Sequence, residues 1–184
     1  RQYFDTAMSS GKGSVVLSSD QPLGAISQIL ARNQVPSSGA YSGASAGSSR
    51  VYAPLVARQG IGATGVVNAE IVIQNTGTSS VNVEVDFYNN SDGARVYTKT
   101  GISIPSNTSY YYDLSTETRL PNNWFGSAVV RATSAGGNVA VVVNLFLGPH
   151  ALQTYNGFPA SQAATKWMNP SFFSRLSNGL STVM

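Results

Sequence analysis

The stretch that decides the fold reads VNVEVDFY over residues 81–88 and continues as NNSDG over residues 89–93. Apolar and polar residues alternate along its first part with a period of two, which is typical of a strand with one buried face. Its second part is a turn signal, because the Asp92-Gly93 pair readily adopts positive φ angles. The segment therefore predicts a strand followed by a hairpin turn in an antiparallel sheet.

Similar patterns extend in both directions from this segment. Short apolar or alternating runs separated by turn residues predict further strands at 51–57, 66–74, 95–100, 102–105, 109–113, 125–133 and 138–147. The last two are predicted to form a hairpin across 134–137. Seven or eight strands in the 107 residues from 51 to 157, with a turn about every ten residues, predict an all-β fold, an immunoglobulin-like antiparallel β-sandwich.

The chain also repeats itself. Four landmarks recur in the same order, namely Asp5 and Asp113, Ser14 and Ser127, Tyr41 and Tyr155, and Pro54 and Pro170, at offsets of 108, 113, 114 and 116 residues. This spacing predicts one complete unit flanked by partial units. The complete β-sandwich spans 51–157, and residues 1–35 form a partial repeat with the last three strands of a sandwich. Residues 36–50 are a Ser/Gly-rich linker, and 158–184 are a linker plus the first strands of a further repeat.

Several motifs of the complete unit resemble a known module. The residues are YAPLV at 52–56, IQNTG at 73–77, GSAVV at 126–130 and YNG at 155–157, and GSVVLSSDQPL at 13–23 is similar to the closing hairpin. The chain resembles the tandem immunoglobulin-like β-sandwich repeat of secreted and cell-surface proteins in bacteria such as the Chloroflexota. The resemblance implies a stalk, an adhesion module or an appendage component. It carries no chemistry.

The composition favours an extracellular protein at the cell surface. Charged residues make up only 10% of the chain, whereas about a quarter is usual, and the net charge of +3 comes from cations that are scattered singly. We therefore expect no nucleic-acid partner. The longest apolar run, 139–147, is too short to span a bilayer, so no membrane insertion is expected. The chain has no cysteine, which excludes disulfides and thiolate sites, and its start at Arg1 fits a removed leader.

No catalytic, metal or cofactor site is predicted, and the chain is not expected to be an enzyme. His150 is the single histidine and follows a predicted strand, where a solvated loop position is favoured. Glu84 and Asp86 share the outward face of one strand, which favours a solvated face over a glycosidase pair. The run 110–112 of three tyrosines is interpreted as structural, with polysaccharide binding as the alternative.

Two asparagines match the N-glycosylation acceptor pattern. They are Asn89, in Asn-Asn-Ser, and Asn107, in Asn-Thr-Ser, and both lie at predicted turns. The two positions are candidate modification sites.

The cut ends of the repeat lead to a functional hypothesis. Incomplete sandwiches leave unpaired strand edges and exposed apolar side chains, which neighbouring copies can complete by strand addition. We therefore expect an extracellular structural protein, a subunit of a filament or surface appendage whose partners are other copies of itself in a head-to-tail homopolymer. The predicted subunit interface consists of Tyr3, Phe4, Phe172, Phe173, Leu176, Leu180 and Val183. The alternatives are a stalk, spacer or adhesion region of a larger surface protein, and a carbohydrate-binding module that contacts surface glycans.

Overall fold

The fold is an antiparallel β-sandwich, which confirms the predicted all-β class. A computed structural model describes residues 11–31, 37–62, 65–148 and 151–164. The strands are β1 (Ile26–Ala31), β2 (Ser37–Ser42), β3 (Arg50–Arg58), β4 (Gly60–Gly62), β5 (Gly65–Asn75), β6 (Val81–Asn89), β7 (Arg95–Ile104), β8 (Ser109–Asp113), β9 (Trp124–Ala132), β10 (Val139–Leu147), β11 (Ala151–Asn156) and β12 (Phe158–Pro159). Two short 3-10 turns follow β8 and β12, at Leu114–Thr116 and Ala160–Gln162.

The strands form two five-stranded sheets and one separate ribbon. The first sheet has the order β11-β10-β5, and both β4 and β8 pair with the remaining edge of β5. The second sheet has the order β12-β3-β9-β6-β7, and β1 pairs with β2 alone. Every pairing is antiparallel.

The core lies between the two five-stranded sheets. The alternation of β6 points Val81, Val83, Val85 and Phe87 inward, and each is at most 1% exposed. The Phe87 ring is the centre of an aromatic cluster, with ring centroids 6.1 Å from Tyr97, 5.9 Å from Tyr112 and 6.0 Å from Trp124. Aromatic side chains of this kind contribute large buried areas to a core. The period of two read from the sequence therefore sets the inward face of β6 correctly.

The predicted hairpin between 125–133 and 138–147 is wrong. Strand β9 pairs with β3 and β6 in the second sheet, whereas β10 pairs with β5 and β11 in the first. Both edges of both strands are thus occupied by other partners, so the connection at 133–138 crosses from one sheet to the other. A short turn between two strands does not by itself require that they pair.

The two strands predicted at 95–100 and 102–105 are one strand, β7. The register of β7 against β6 shifts between the Val83–Ile102 and Val85–Lys99 pairs, which marks a β-bulge. Gly101 lies in this bulge with a φ of +73°, a conformation that a residue without Cβ adopts at little cost. The bulge bends the strand without interrupting it, and the sequence signal at glycine was read as a break.

The segments on either side of the sandwich also differ from the prediction. Within the predicted linker 36–50, residues 37–42 form β2, and within 158–184, Phe158 and Pro159 pair with β3 and extend the second sheet beyond residue 157. Gly39 permits β2 to approach the sandwich closely, because a Cβ there would lie 2.2 Å from the hydroxyl oxygen of Thr154. The small residue Gly39 of the predicted linker thus permits close packing against the sandwich.

The partial repeat predicted at 1–35 contributes one strand, β1, among its described residues. The run 13–23, which resembles the closing hairpin of the module, pairs with no strand in the described part of the chain. Strand β9 is stabilised by hydrogen bonds to β3 and β6 on its two sides. The N-terminal segment lacks equivalent neighbours among the described residues, so a similar sequence does not form a similar strand there.

Candidate functional site

The β1–β2 ribbon packs against the outer side of the first sheet next to β11. The side chain of Asn156 accepts a hydrogen bond from the Ser42 amide at 3.1 Å and donates one to the Ser42 carbonyl at 2.7 Å. Gly39 of β2 lies against Thr154 and Leu152. These contacts fix one side of the ribbon on the sandwich.

The opposite side of the ribbon is exposed and carries two large apolar side chains among small and polar residues. Ile26 is 81% exposed and Leu30 is 54% exposed, and both alternate with partly buried residues along β1. Strand β1 pairs with β2 on one edge and with no other strand of the described residues on its second edge. The ribbon therefore offers both an open main-chain edge and apolar side chains, the two features that strand addition uses.

The segment from Gly11 to Ala25 approaches the same sheet through a few polar contacts. The Tyr111 hydroxyl donates to the Gly13 carbonyl at 2.6 Å, and the Ser14 hydroxyl donates to the Asn107 carbonyl at 3.0 Å. The Lys12 ammonium forms an ion pair with Glu70. Burial raises the pKa of Tyr111, with smaller contributions from Tyr41 and Glu70 in the same direction.

The apolar residues of this segment remain in solvent. Val15, Val16 and Leu17 are each about 60% exposed. Six of the ten exposed large hydrophobic side chains among the described residues lie between positions 15 and 30. Large exposed apolar side chains are common singly, whereas contiguous apolar patches mark interaction sites, and the grouping of six along one segment makes this segment the candidate. We call the exposed side chains of Val15, Val16, Leu17, Leu23, Ile26 and Leu30 the N-terminal apolar surface.

A second candidate surface is a groove on the outer face of the second sheet. Its floor is an ion-pair network in which the Arg131 guanidinium donates to Asp86 at 2.8 Å and to Glu84 at 2.9 Å. The Thr98 hydroxyl donates to Asp86 at 2.6 Å. Burial acts to raise the pKa of Asp86, but the hydrogen bonds from Thr98 and Arg131 outweigh it and the pKa is lowered. Asp86 is thus held as a carboxylate beneath the groove.

The groove consists of two adjoining hollows of about 400 and 500 Å³. They share Arg50 and Arg131 as lining residues. The first hollow is also lined by Tyr52, Asp86, Tyr88, Arg95 and Val129, and the second by Ser49, Ala132, Thr133 and Ala160. The register places Arg50 opposite Arg131 and Tyr52 opposite Val129, so neighbouring strands contribute these side chains to one face. We call this feature the sheet groove.

The sequence reading of Glu84 and Asp86 is half right. Glu84 lies partly in solvent, with 32% of its side chain exposed, but Asp86 is 4% exposed and is ion-paired to Arg131. Both carboxylates face the same guanidinium, so they form a structural network on the strand.

The three tyrosines at 110–112 do not share one environment, because two pack at the core and one contacts the N-terminal segment. Tyr112 is 6% exposed and packs in the aromatic cluster, and Tyr110 packs against the core. Tyr111 contacts the N-terminal segment. The three rings therefore do not form a continuous open row, in agreement with the structural interpretation.

Tyr112 also belongs to a buried polar cluster. Its hydroxyl donates to Glu117, whose carboxylate accepts further bonds from the Arg119 amide at 3.1 Å and the Arg119 guanidinium at 2.9 and 3.2 Å. Burial acts to raise the pKa of Glu117, but these hydrogen bonds outweigh it and lower the pKa to about 2. Burial also raises the pKa of Tyr112, and Glu117 adds to that shift.

The two candidate glycosylation positions have different surroundings. The amide oxygen of Asn89 accepts a hydrogen bond from the Trp124 indole at 2.8 Å, at the end of β6 before the hairpin turn. Asn107 is exposed in a turn with a φ of +57°. Modification at both positions stays a prediction.

The predicted subunit interface lies outside the described residues. This applies to Tyr3, Phe4, Phe172, Phe173, Leu176, Leu180 and Val183, and also to His150. The sequence reading missed the apolar side chains of β1 and the arginines of the sheet groove. Residues 15–30 fall in the predicted partial repeat, where strands of a sandwich are expected, and this pattern gives no sign that their apolar side chains are exposed. The groove could not be found because its arginines come from three strands whose register the sequence does not show.

Within the described ranges, no three His, Cys, Asp or Glu side chains come together as a possible metal site. The same ranges contain no helix of the length and apolar character needed to cross a membrane.

The class that these observations define is an all-β sandwich with an exposed apolar ribbon on one sheet and a polar groove on the other. No protein-family model matches the chain, and no curated protein matches it. Among solved structures, the chain is similar to Thermotoga maritima 1070, with 17% identity over 61% of this chain and 95% of that one, at a TM-score of 0.49. It is also similar to the Anabaena sensory rhodopsin transducer, with 16% identity over 52% and 94% of the two chains, at a TM-score of 0.40.

Proposed function

We propose that the chain is an extracellular structural protein, a subunit of a filament or surface appendage that assembles head to tail with other copies of itself. The observation that carries this proposal is the N-terminal apolar surface. Its six side chains lie outside a sandwich that already has a closed core. Apolar area of this kind gains free energy when a partner removes it from water, at roughly 25 cal/mol per Å².

The open edge of β1 suggests how copies would contact each other. A strand added there would form main-chain hydrogen bonds, and its side chains would cover Ile26 and Leu30, which are exposed on β1. Pairing of two β1 edges about a two-fold axis would give a closed dimer, so a head-to-tail polymer requires that a different surface of the partner supply the added strand. A contact between two different surfaces is heterologous, and it generates an open filament unless the rotation closes a ring.

The composition supports an extracellular setting for this proposal. Only 10% of the residues are charged, so the polarity of the chain comes mainly from Ser, Thr, Asn, Gln and Gly. A low charge density also reduces the repulsion between identical subunits in a polymer. We place the protein outside the cell or at its surface on these grounds.

The stalk or adhesion alternative differs in its expected solution behaviour. A spacer region of a larger protein would behave as a monomeric bead at every concentration. A filament subunit would instead form elongated particles whose length rises with concentration. Analytical ultracentrifugation and negative-stain electron microscopy separate these outcomes.

The test uses charge introduced on the ribbon. We expect the purified chain to form elongated assemblies, and a variant with both Ile26→Lys and Leu30→Lys to remain monomeric. The matched control is Ile61→Lys, because Ile61 is 71% exposed but lies on β4, outside the N-terminal apolar surface. The control should assemble like the unchanged chain. A monomeric unchanged chain, or assembly of the double variant, would show that the ribbon is not an assembly surface.

A second variant tests the predicted terminal interface. Removal of residues 172–184 should prevent polymer formation and leave the sandwich folded. Circular dichroism with a thermal melt checks the fold, and microscopy checks the assembly. Filaments formed by the shortened chain would mean that Phe172, Phe173, Leu176, Leu180 and Val183 are not required.

A further inference from the structure

We propose that the sheet groove binds an acidic polysaccharide, with Arg50 and Arg95 contacting its carboxylate groups and Tyr52 and Tyr88 contacting its sugar rings. The site lies on the sheet opposite to the ribbon, and the inference does not depend on self-assembly. The ligand class is a chain of uronate sugars, which combine a carboxylate with an apolar ring face in each unit.

The first argument is the positive charge at the groove. Arg131 is engaged by both Asp86 and Glu84, so its charge is balanced by the protein. Arg95 is 60% exposed and reaches Asp86 only at 3.8 Å. Arg50 is exposed and forms no ion pair with the described residues. Three guanidinium groups against two carboxylates leave one uncompensated positive charge, which favours an anionic ligand.

The second argument is the placement of Arg50. It lies directly opposite Arg131 across the β3–β9 pair, next to a cation that Glu84 and Asp86 already balance. The charge of Arg50 has no ion-pair partner among the described residues, so it is the one that an anionic ligand would neutralise. The guanidinium group suits a carboxylate because its planar fork donates two parallel hydrogen bonds.

The third argument is the rigidity of the floor. The Arg131 side chain is held by hydrogen bonds of 2.8 and 2.9 Å, and Thr98 holds Asp86 at 2.6 Å. The floor of the groove is therefore fixed before a ligand binds, and only the exposed side chains of Arg50 and Arg95 remain to be ordered. Preorganisation of this kind improves affinity without additional contacts.

The fourth argument is the shape and the aromatic lining. Tyr52 of β3 and Tyr88 of β6 line the first hollow around Val129. Ser49 and Thr133 provide hydroxyl groups in the second hollow. Since the two hollows share Arg50 and Arg131, they form one open groove with two adjoining parts. Two adjoining parts fit neighbouring units of one sugar chain better than one small molecule.

A nucleic acid would use similar contacts, but the charges disfavour it. The sheet groove offers only Arg50 and Arg95 as arginines that protein carboxylates do not fully engage, and a phosphate backbone usually meets a larger basic patch. The remaining cations of the chain are scattered singly and form no stripe along which a backbone could run. We therefore assign the groove to an acidic glycan, and nucleic acid serves as a control ligand.

The experiment measures binding of polygalacturonate oligomers to the full chain by isothermal titration calorimetry. We expect binding that weakens as salt is added, because the groove is open to solvent and its charges are screened. Arg50→Gln and Arg95→Gln should each weaken binding about tenfold or more, since each loses charge-assisted hydrogen bonds. Lys99→Gln is the matched control, because the Lys99 ammonium lies over the Tyr112 ring, away from the groove. It should bind like the unchanged chain.

Other ligands decide the class. Dextran, polyglutamate and single-stranded DNA should bind at least tenfold more weakly than polygalacturonate. Equal or tighter binding by any of them overturns the assignment to an acidic glycan, and so does undiminished binding by both arginine variants. Both arginines lie on the surface of different strands, so thermal melts of the two variants should match that of the unchanged chain. The proposal is also refuted if the unchanged chain does not bind polygalacturonate at low salt.

Discussion

The Glu117 carboxylate offers a quantitative test of the buried polar cluster. The 3-10 turn Leu114–Thr116 begins where Asp113 accepts a hydrogen bond from the Ser115 amide at 2.9 Å, and Glu117 follows the turn within reach of the Tyr112 hydroxyl. Glu117 is 6% exposed and accepts bonds from Tyr112 and Arg119. Glu117→Gln keeps the shape of the side chain, but it removes the charge and replaces one acceptor oxygen with a donor.

The magnitude follows from the pKa. The value of about 2 in the folded protein lies below the ordinary 4.5, so the carboxylate stabilises the fold above pH 4.5, and this contribution is lost as the pH falls towards 2. The full shift corresponds to about 3 kcal/mol. We reduce this to about 2 kcal/mol, because the Arg119 partner is 56% exposed and water screens it. The variant should be less stable by that amount at pH 7, and the difference should approach zero near pH 2.

Urea unfolding of both proteins between pH 2 and pH 7 measures this difference. The control is Glu84→Gln, because Glu84 is 32% exposed and bonds only Arg131 within the described residues. We expect the control to lose less than about 1 kcal/mol at pH 7. The reasoning is refuted if Glu117→Gln is as stable as the unchanged protein at pH 7, or if its deficit is the same at pH 2 and pH 7.

Two further substitutions test the core and the link between the sheets. Phe87→Ala should lower the free energy of unfolding by about 3–5 kcal/mol, because Phe87 is fully buried in the aromatic cluster. The control is Phe146→Ala, which should cost under about 1 kcal/mol because Phe146 is 43% exposed. Urea unfolding compares the two variants. Tyr155→Phe should cost about 1–3 kcal/mol in the same assay. The Tyr155 hydroxyl, in the first sheet, donates a hydrogen bond to the Leu55 carbonyl in the second sheet and accepts one from the Leu55 amide. Unchanged stability would show that these bonds between the sheets do not stabilise the fold.

The strands and the core face were largely predictable from the sequence. The alternation at 81–88 places Val83 and Phe87 inward, as observed, and the turn at 89–93 ends the strand where Gly93 takes a φ of +67°. These features depend on residues that are close in sequence, and a period of two leaves one choice of buried face. Local patterns of this kind are informative without a tertiary structure.

The pairing of strands was not predictable. The turn at 134–137 was read as closing a hairpin, but β9 and β10 belong to different sheets. Gly101 was read as a break, but it lies in a bulge of one strand. In each case the local signal is correct as a turn or an irregularity. Which strand occupies each edge depends on long-range competition for main-chain hydrogen bonds.

The sequence by itself determined the all-β class, most strand positions of the sandwich and the choice of inward-facing residues in β6, but it did not predict β4 and β11. Only the tertiary structure decided which side chains share a surface. It joined Arg50, Arg95 and Arg131 into one groove and left Ile26 and Leu30 exposed on an open ribbon. The physical reason is the distance along the chain over which each feature is decided. A strand's buried face follows from neighbouring residues, whereas the register across strands follows from the packing of the complete sandwich.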